Sequence, residues 1–215
     1  TDRIGDLVNK DPMFDICFSH PRVLETARHM LGNDIRLSAL NSRTALPGYG
    51  RHGLHADSGS KVQPGEYEKA MSIWLLCDFT NKNGPTRVVP GSHKRIAPDP
   101  YSILRENNNN PEFKPFGVSP DNIPSVALDT EPGDVIIFTE NVIHGAFGGG
   151  VGRHQVCLSF VSELKSETEV DFVRKCYAKR NFSLHPTRTY INSDRPRIRS
   201  LVETPLKLGF EILEI

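Results

Sequence analysis

The feature that most constrains the fold is the motif His55-Ala56-Asp57, taken together with a distant histidine, His144. In a β-strand, residues i and i+2 lie on the same face, so the side chains of His55 and Asp57 can converge on one metal ion. His144 can join them only in a fold that brings distant strands together. Two imidazoles and one carboxylate on one side of an ion leave adjacent coordination positions open. The sequence therefore predicts a metal centre formed by His55, Asp57 and His144.

The surrounding sequence supports this prediction, because a His-x-Asp match alone is a weak signal. Residues 46–54 are rich in Gly and other turn-forming residues, and would deliver a strand edge to the mouth of a pocket. Residues 131–134 form a Pro-Gly turn before the apolar run 135–138, a pattern typical of a buried strand. Arg153 precedes a second run of this kind at 156–161. A metal site with open positions on such strands suits a non-haem Fe(II) oxygenase.

Composition favours one globular domain, which we predict to span residues 1–215. A chain of 215 residues can bury one sizeable core without disulfides. Its 26 basic and 26 acidic residues give no net charge that would attract nucleic acid or a membrane. No apolar run approaches the roughly 20 residues of a membrane span, and no secretory signal opens the chain. The four cysteines, Cys17, Cys77, Cys157 and Cys176, show no Cys-x-x-Cys spacing and resemble the reduced cysteines of a cytosolic protein, so we expect a cytoplasmic location.

Short strands separated by Gly- and Pro-containing turns predict a mainly β protein with flanking helices. The first 34 residues are expected to be helical, with Pro21 in a first turn and an apolar stripe that ends at Gly32. Residues 95–125 are expected to form a mobile insert near the pocket. Many short strands favour a barrel or sandwich over a parallel sheet. The predicted strands are residues 35–46, 70–79, 126–129, 135–138 and 156–161, and a further helix is predicted at 170–180.

The order of these motifs resembles the phytanoyl-CoA dioxygenase family of 2-oxoglutarate-dependent oxygenases. The resemblance extends from His20 to about Val161, and its most distinctive segment is residues 83–94, similar to the family's Asn-Gly…Val-Pro-Gly-Ser-His-Lys signature. The usual first strands of the family are not found, so we expect the chain to lack its native N-terminal segment. The other matching parts, in the family's order, are residues 20–34, residues 51–57, Trp74, residues 132–138, His144 and Arg153.

The resemblance implies a double-stranded β-helix, the cupin-like jelly roll of this oxygenase class, with helices bracing one face. It implies Fe(II) bound by the three predicted ligands, 2-oxoglutarate as cosubstrate and O2 as oxidant. Arg153 is the expected partner of the cosubstrate's C5 carboxylate, because a guanidinium can hold a carboxylate through two parallel hydrogen bonds. The presence of Asp57 favours hydroxylation, since related halogenases lack this carboxylate.

Three further residues have two interpretations each, and a fourth position departs from the family's pattern. The resemblance places Trp74 beside the cosubstrate, but core packing explains a lone tryptophan equally well. Asn41 and Arg43, on the strand before the first ligands, can contact the C1 carboxylate or the substrate, or can form a solvated edge. The family often has a hydroxyl residue two positions after the distal histidine, and Ala146 stands there in this chain.

The basic segment 174–199 contains eight Lys/Arg residues and one acidic residue, Asp194. It forms either a solvated rim or an electropositive funnel that attracts an anionic substrate. A nucleic-acid partner is disfavoured, because few aromatic side chains interleave with these charges.

Taken together, the sequence predicts an Fe(II)- and 2-oxoglutarate-dependent hydroxylase of a small molecule, monomeric or dimeric. Two alternatives stay open: a cupin-like metalloenzyme that does not use 2-oxoglutarate, and a non-catalytic β-barrel binding module. Arg153 favours the first interpretation over the second, and three intact ligands favour an enzyme over a binding module.

Overall fold

The computed structural model describes residues 2–57, 67–94, 99–106, 112, 114–148, 152–178, 184–185 and 187–212. In these ranges the strands are β1 (Asp2–Ile4), β2 (Ile35–Thr44), β3 (His52–His55), β4 (Lys69–Leu75), β5 (Thr86–Val88), β6 (Val126–Leu128), β7 (Val135–Thr139), β8 (His144–Ala146) and β9 (His154–Ser162). The α-helices are α1 (Asp15–Ser19), α2 (Pro21–Leu31), α3 (Ser102–Glu106), α4 (Glu167–Ala178), α5 (Arg188–Ile191), α6 (Pro196–Val202) and α7 (Thr204–Lys207).

The strands form two antiparallel sheets. The larger sheet has the order β1-β2-β9-β4-β7, and the smaller sheet has the order β3-β8-β5-β6. Neighbouring strands come from distant parts of the chain, so that His55 pairs directly with His144 and Asn41 pairs with Cys157. Two antiparallel sheets with interleaved strand order form a jelly roll. The predicted mainly β, double-stranded β-helix fold is confirmed.

Alternation along β9 decides what each face of the larger sheet contacts. Val156, Leu158 and Phe160 belong to a core cluster shared with the helices. Cys157, between them, packs instead with Ile73 in a separate cluster on the other face. Because side chains alternate between faces of a strand, the odd-numbered residues of β9 face the interior of the jelly roll, where the site lies.

Helices cover the outer face of the larger sheet. Helix α2 begins at Pro21, whose fixed φ suits a first turn, and stops at Gly32, whose φ of +92° lies in the left-handed region. The predicted apolar stripe of α2 packs into the core, and α6 contributes a second stripe to the same cluster. The buried stripe residues are Val23, Leu24, Ala27, Leu31, Ile198, Leu201 and Val202.

Several predicted boundaries were wrong. Residues 2–4 form β1 rather than a helix, because they pair with β2 at the edge of the sheet. Strand β4 ends at Leu75, and Leu76 is 56% exposed.

The described parts of the insert 95–125 are anchored: Leu104 and Ile123 are buried in a cluster against the smaller sheet. No helix in the described ranges is long and apolar enough to cross a membrane.

Candidate active site

The structure brings the three predicted metal ligands together. His55 ends β3, His144 begins β8 directly opposite it, and Asp57 follows two residues after His55. One potential ligand atom from each of the three residues lies within 4.8 Å of the other two. His55 Nε2 is 3.6 Å from Asp57 Oδ1. Both imidazoles are buried, so the site is enclosed on the side of the smaller sheet.

Backbone carbonyl groups orient the two histidine rings. Nδ1 of His55 lies 2.8 Å from the carbonyl oxygen of Gly53, and Nδ1 of His144 lies 2.9 Å from that of Val142. A carbonyl oxygen only accepts, so each Nδ1 must donate its proton. In a neutral imidazole the other nitrogen, Nε2, then carries the free lone pair that a metal requires. The ring orientations therefore fit a divalent metal ion between these residues.

Electrostatics favour the metal-binding protonation states. Burial, followed by the nearby charge of His55, lowers the pKa of His144 to about 4. Partial burial tends to raise the pKa of Asp57, but nearby positive charge, including that of Lys69, brings that pKa below its usual range overall. A neutral imidazole and an ionised carboxylate are the forms that bind a metal. These pKa shifts favour a neutral His144 and an ionised Asp57.

Aromatic rings form the wall around the ligands. The ring centroids of His52 and His55 are 4.1 Å apart, and those of Phe138 and His144 are 4.5 Å apart. Burial, then the charges of His55 and Arg43, lowers the pKa of His52 to about 3. The structure places His52 against the predicted ligand His55 and in the lining of the cavity.

Glu140 is a buried residue that sequence reasoning missed. Its carboxylate is fully buried and accepts hydrogen bonds from the backbone N–H groups of Glu68 and Lys69, at 3.1 and 2.8 Å. Its carbonyl oxygen accepts the backbone N–H of Asp57 at 3.1 Å. Glu140 therefore ties the start of β4 to the segment that carries the carboxylate ligand. The available signal was an ionisable residue two positions after the apolar run 135–138.

A cavity of about 140 Å³ lies beside the ligands, between the two sheets. The smaller sheet contributes Thr86 and the two histidine ligands, while the larger sheet contributes residues such as Ile73 and Cys157. Ligand pockets for drug-sized molecules typically measure about 300–1,000 Å³. The described part of this cavity therefore suits a small ligand.

Arg153 lines the cavity and is buried, with 6% of its surface exposed. Its guanidinium donates hydrogen bonds to the carbonyl oxygens of Gly50 and Gly84 and lies over the Phe79 ring, 5.9 Å from the centroid. Gly50 has a φ of +95°, and a Cβ there would come within 2.5 Å of the guanidinium. Arg153 is therefore held in a fixed position by two loops.

The profile of the phytanoyl-CoA dioxygenase (PhyH) family matches residues 2–153. The chain belongs to this family. Among curated relatives, the dioxygenase FUM3 of Gibberella moniliformis is 28% identical over 173 residues, which cover 74% of this chain and 51% of FUM3. The ectoine dioxygenase of Sphingopyxis alaskensis is 28% identical over 159 residues, covering 67% of this chain and 52% of that protein. The chain spans about half the length of these two relatives.

Solved structures share the fold of this PhyH-family chain. HygX from Streptomyces hygroscopicus superposes with a TM-score of 0.59 at 20% identity, covering 78% of this chain and 74% of HygX. EctD from S. alaskensis, solved with 2-oxoglutarate and 5-hydroxyectoine, gives a TM-score of 0.53 at 21% identity, covering 74% of this chain and 56% of EctD. At such identities the likeness establishes the double-stranded β-helix.

The other candidate residues of this PhyH-family chain do not all lie at the cavity. Arg43 lines the cavity. Asn41 does not, and its side-chain oxygen accepts the backbone N–H of Asp6 at 3.4 Å. Trp74 lies on the opposite face of the larger sheet, where its indole N–H donates to the carbonyl oxygen of Cys17 at 3.2 Å. Trp74 therefore does not line the cavity beside the predicted metal ligands, and its packing matches the core interpretation, because alternation along β4 directs it towards the helices.

Ala146 lines the cavity, so the family's hydroxyl group is absent at this position. Thr86 pairs with Ala146 across β5 and β8, is buried and lines the same cavity. Cross-strand partners lie about 4.5–5.5 Å apart at Cβ. A hydroxyl group is therefore available next to the position where the family's own hydroxyl is missing.

The described residues of the basic segment 174–199 do not line the cavity. Helix α6 contacts β2, and Ile198 and Tyr190 belong to the core cluster between the helices and the larger sheet. The described part of the segment therefore lies on the outer side of that sheet. It gives no support to the predicted electropositive funnel, and Arg180 lies outside the described residues.

Proposed function

We propose that this chain forms the core of an Fe(II)- and 2-oxoglutarate-dependent dioxygenase that hydroxylates a small molecule, releasing succinate and CO2. The observation that carries the proposal is the convergence of His55, Asp57 and His144, with both Nε2 atoms left free by carbonyl-bound Nδ1 groups. Membership of the PhyH family supports it, as does the fold shared with EctD, which was solved with bound Fe and with 2-oxoglutarate.

The three ligands would hold the ion on one side and leave the cavity side open for exogenous ligands. Bound iron supplies the activation of O2, coupled to oxidative decarboxylation of 2-oxoglutarate. The protein's own contribution is positional: the carbonyl oxygens of Gly53 and Val142 fix the imidazoles, and the Glu140 carbonyl fixes the backbone of Asp57. Such partners of metal ligands typically change metal affinity by about 10–100-fold.

Arg153 is the residue we assign to the C5 carboxylate of 2-oxoglutarate. It is buried, it lines the cavity, and its position is fixed by the Gly50 and Gly84 carbonyl groups. A fixed guanidinium loses little further freedom when it binds a carboxylate. We assign the hydroxyl group of Thr86 to the cosubstrate contact that Ala146 cannot make.

One observation favours a second candidate. The hydrogen bonds of Arg153 to two carbonyl groups are what a purely structural arginine would form. If that is its whole role, the chain is a cupin-like metalloenzyme that binds the ion but not 2-oxoglutarate. The two candidates predict the same metal affinity and opposite results for cosubstrate binding.

The test is anaerobic calorimetric titration with Fe(II), followed by titration with 2-oxoglutarate. We expect one Fe(II) per chain and metal-dependent binding of 2-oxoglutarate. His144→Ala should weaken Fe(II) binding by more than about 100-fold, since it removes a ligand rather than one of its supporting partners. His29→Ala, at an exposed position on α2, is the matched control.

Equal Fe(II) affinity in wild type and His144→Ala would exclude this metal site. Normal Fe(II) binding without 2-oxoglutarate binding would select the second candidate. If 2-oxoglutarate does bind, succinate release in air, with and without metabolite pools, would establish turnover.

A further inference from the structure

The signature segment, residues 83–94, is the most distinctive motif of the chain, and the site described above uses little of it. In the described structure, residues 88–94 do not line the cavity. Ser92 nevertheless is only 1% exposed. Burying a hydroxyl group is unfavourable unless it has a hydrogen-bond partner. A partner of the Ser92 hydroxyl group lies next to the metal site.

Ser92 and Val89 bind the backbone of Ile143, the residue directly before the ligand His144. Ser92 Oγ accepts the backbone N–H of Ile143 at 2.8 Å. The backbone N–H of Val89 donates to the carbonyl oxygen of Ile143, also at 2.8 Å. Ile143 is fully buried, so these groups have no access to water. The signature segment therefore holds both polar backbone groups of the residue that leads into β8.

Ile143 belongs to the connection 140–143, which joins β7 to β8 and contacts two of the three ligands. The carbonyl oxygen of Val142 accepts Nδ1 of His144 at 2.9 Å. The carbonyl oxygen of Glu140 accepts the backbone N–H of Asp57 at 3.1 Å. A displacement of this connection would move both carbonyl groups, and with them the partners of both ligands.

The connection is held at both ends. At its start, the buried carboxylate of Glu140 accepts the backbone N–H groups of Glu68 and Lys69. At its end, Ser92 holds the backbone N–H of Ile143. Loss of the Ser92 hydroxyl group would release the end that lies beside His144, while the end beside Asp57 would stay attached to β4.

The hydrogen bond from Ile143 to Ser92 adds something that packing cannot supply. The Ile143 side chain shares a buried apolar cluster with Val89 and with Leu54, the residue directly before the ligand His55. Apolar contacts are non-directional, so they hold Ile143 in place without fixing the orientation of its peptide groups. A hydrogen bond has a preferred direction and fixes that orientation. The carbonyl group of Val142 belongs to the same peptide unit as the N–H that Ser92 holds.

We propose that Ser92 is a positioning residue of the metal centre: by holding the Ile143 amide, it sets the Val142 carbonyl group that orients the His144 ring. The proposal rests on the proposed function, because it takes His144 to be a metal ligand. It gives the serine of the signature segment a role in metal binding without contact with the metal or the cosubstrate.

The first measurement is anaerobic titration with Co(II), whose visible absorption depends on the geometry of its ligands. Ser92→Ala should weaken Co(II) binding by about three- to tenfold, less than the roughly 10–100-fold typical of direct partners of metal ligands. Its Co(II) spectrum should also differ from that of wild type. Ser92→Thr, which keeps the hydroxyl group, should restore wild-type affinity and spectrum.

Two controls separate positioning from general stability. Ser72→Ala also removes a fully buried serine hydroxyl group, but on the face of β4 that the helices cover. Ile198→Val, in the core beneath α6, should lower the unfolding temperature without a change near the connection. Both controls should bind Co(II) as wild type does. Thermal unfolding shows that each variant is folded and ranks the variants by stability.

The second measurement uses metal-free protein. Imidazole 15N NMR reports which ring nitrogen carries the proton, and the signals of His144 are identified by their loss in His144→Ala. Wild type should show His144 protonated at Nδ1, as the bond to Val142 requires. Ser92→Ala should add a form protonated at Nε2. His55, whose partner Gly53 lies outside the connection, should keep its proton at Nδ1 in both proteins.

The proposal fails if folded Ser92→Ala binds Co(II) with wild-type affinity and spectrum, or if Ile198→Val weakens binding equally. It also fails if the His144 ring keeps only its wild-type protonation in Ser92→Ala. A wild-type protein that binds neither Fe(II) nor Co(II) would instead contradict the proposed function. The NMR comparison then decides separately whether Ser92 orients the His144 ring.

Discussion

Arg153 is a buried side chain that holds two loops together and also faces the cavity, where we propose that it binds 2-oxoglutarate. Its guanidinium hydrogen-bonds to two loops through the carbonyl groups of Gly50 and Gly84, and the same group faces the cavity. A guanidinium has five N–H donors, so these bonds leave donors for a carboxylate. The residue that the sequence suggested as a cosubstrate ligand is thus also a structural residue.

Arg153→Leu should therefore have two effects. The affinity for 2-oxoglutarate should fall by about 1.5–3 kcal/mol, because a charge-assisted hydrogen bond is lost. The free energy of unfolding should also fall, by about 1–3 kcal/mol for each carbonyl group left buried without a donor. Calorimetry and urea unfolding measure the two effects separately. Lower stability with unchanged 2-oxoglutarate affinity would mean that another cation holds the C5 carboxylate.

At the scale of elements, the pairing of β3 with β8 sets the geometry of the proposed metal site. His55 and His144 are direct partners in this pairing, so any separation of the strands separates the ligands. Gly145 lies where the strands approach most closely: a Cβ there would be 2.6 Å from the carbonyl oxygen of His52 and 3.0 Å from that of Gly53. Both contacts are to backbone, which can relieve them only if the strands move.

Gly145→Ala should consequently weaken metal binding by about tenfold or more, through displaced ligand geometry. It should also lower the free energy of unfolding by about 1–3 kcal/mol, as other overpacked sites do. Gly53→Ala is the matched control on the partner strand, because a Cβ at Gly53 meets no atom within 4 Å. Calorimetric Fe(II) titration compares the two variants. Equal affinities would show that the ligand geometry tolerates a shift between the strands.

At the scale of the whole molecule, a buried polar cluster joins the two ends of the described chain. The Tyr190 hydroxyl group donates to Asp15 Oδ1 at 2.8 Å, and Arg195 pairs with Asp15 Oδ2 at 2.7 Å. Tyr190 also packs edge-on against Phe18. The cluster thereby attaches α5 and α6 to α1 on the outer face of the larger sheet.

This cluster makes stability sensitive to alkaline pH. Burial, then the hydrogen bond to Asp15, raises the pKa of Tyr190 above that of an ordinary phenol. A raised folded-state pKa gives stability that is complete below the unfolded-state value of about 10 and is lost as pH rises towards the folded-state value. The free energy of unfolding of wild type should therefore fall by up to about 1.4 kcal/mol per pH unit above pH 10, because of the Tyr190 hydroxyl group.

Tyr190→Phe should be less stable than wild type at pH 7, by about 1–3 kcal/mol, because Asp15 loses a buried donor. The difference should shrink above pH 10, since only wild type has the phenol to titrate. Urea unfolding between pH 7 and 11 measures both. Tyr49→Phe, at a position 68% exposed, is the control for loss of a hydroxyl group. A difference in unfolding free energy between wild type and Tyr190→Phe that stays constant from pH 7 to 11 would contradict a raised pKa of Tyr190.

Local sequence was sufficient for features that depend on spacing along one segment. The His55-Ala56-Asp57 motif, the apolar stripe of α2 and the Pro-Gly turn before β7 all follow from strand or helix periodicity and turn chemistry. His144 could be named from the sequence as a third candidate ligand, but no local rule connects it to His55, and the pairing of β3 with β8 brings the two together. For β1 local rules failed, because its three residues are a strand only through pairing with β2.

The sequence by itself determined the ligand types, the family and the mainly β fold, because motifs and periodicity are written in short stretches of chain. Tertiary structure alone decided which face each strand turns inwards. In the folded chain, Trp74 packs against the helices and Arg43 lines the cavity. Thr86 lies opposite Ala146, and Glu140 is buried next to the segment that carries Asp57. These outcomes depend on strand pairing across large sequence separations, and a shift of one residue in that pairing would exchange the two faces.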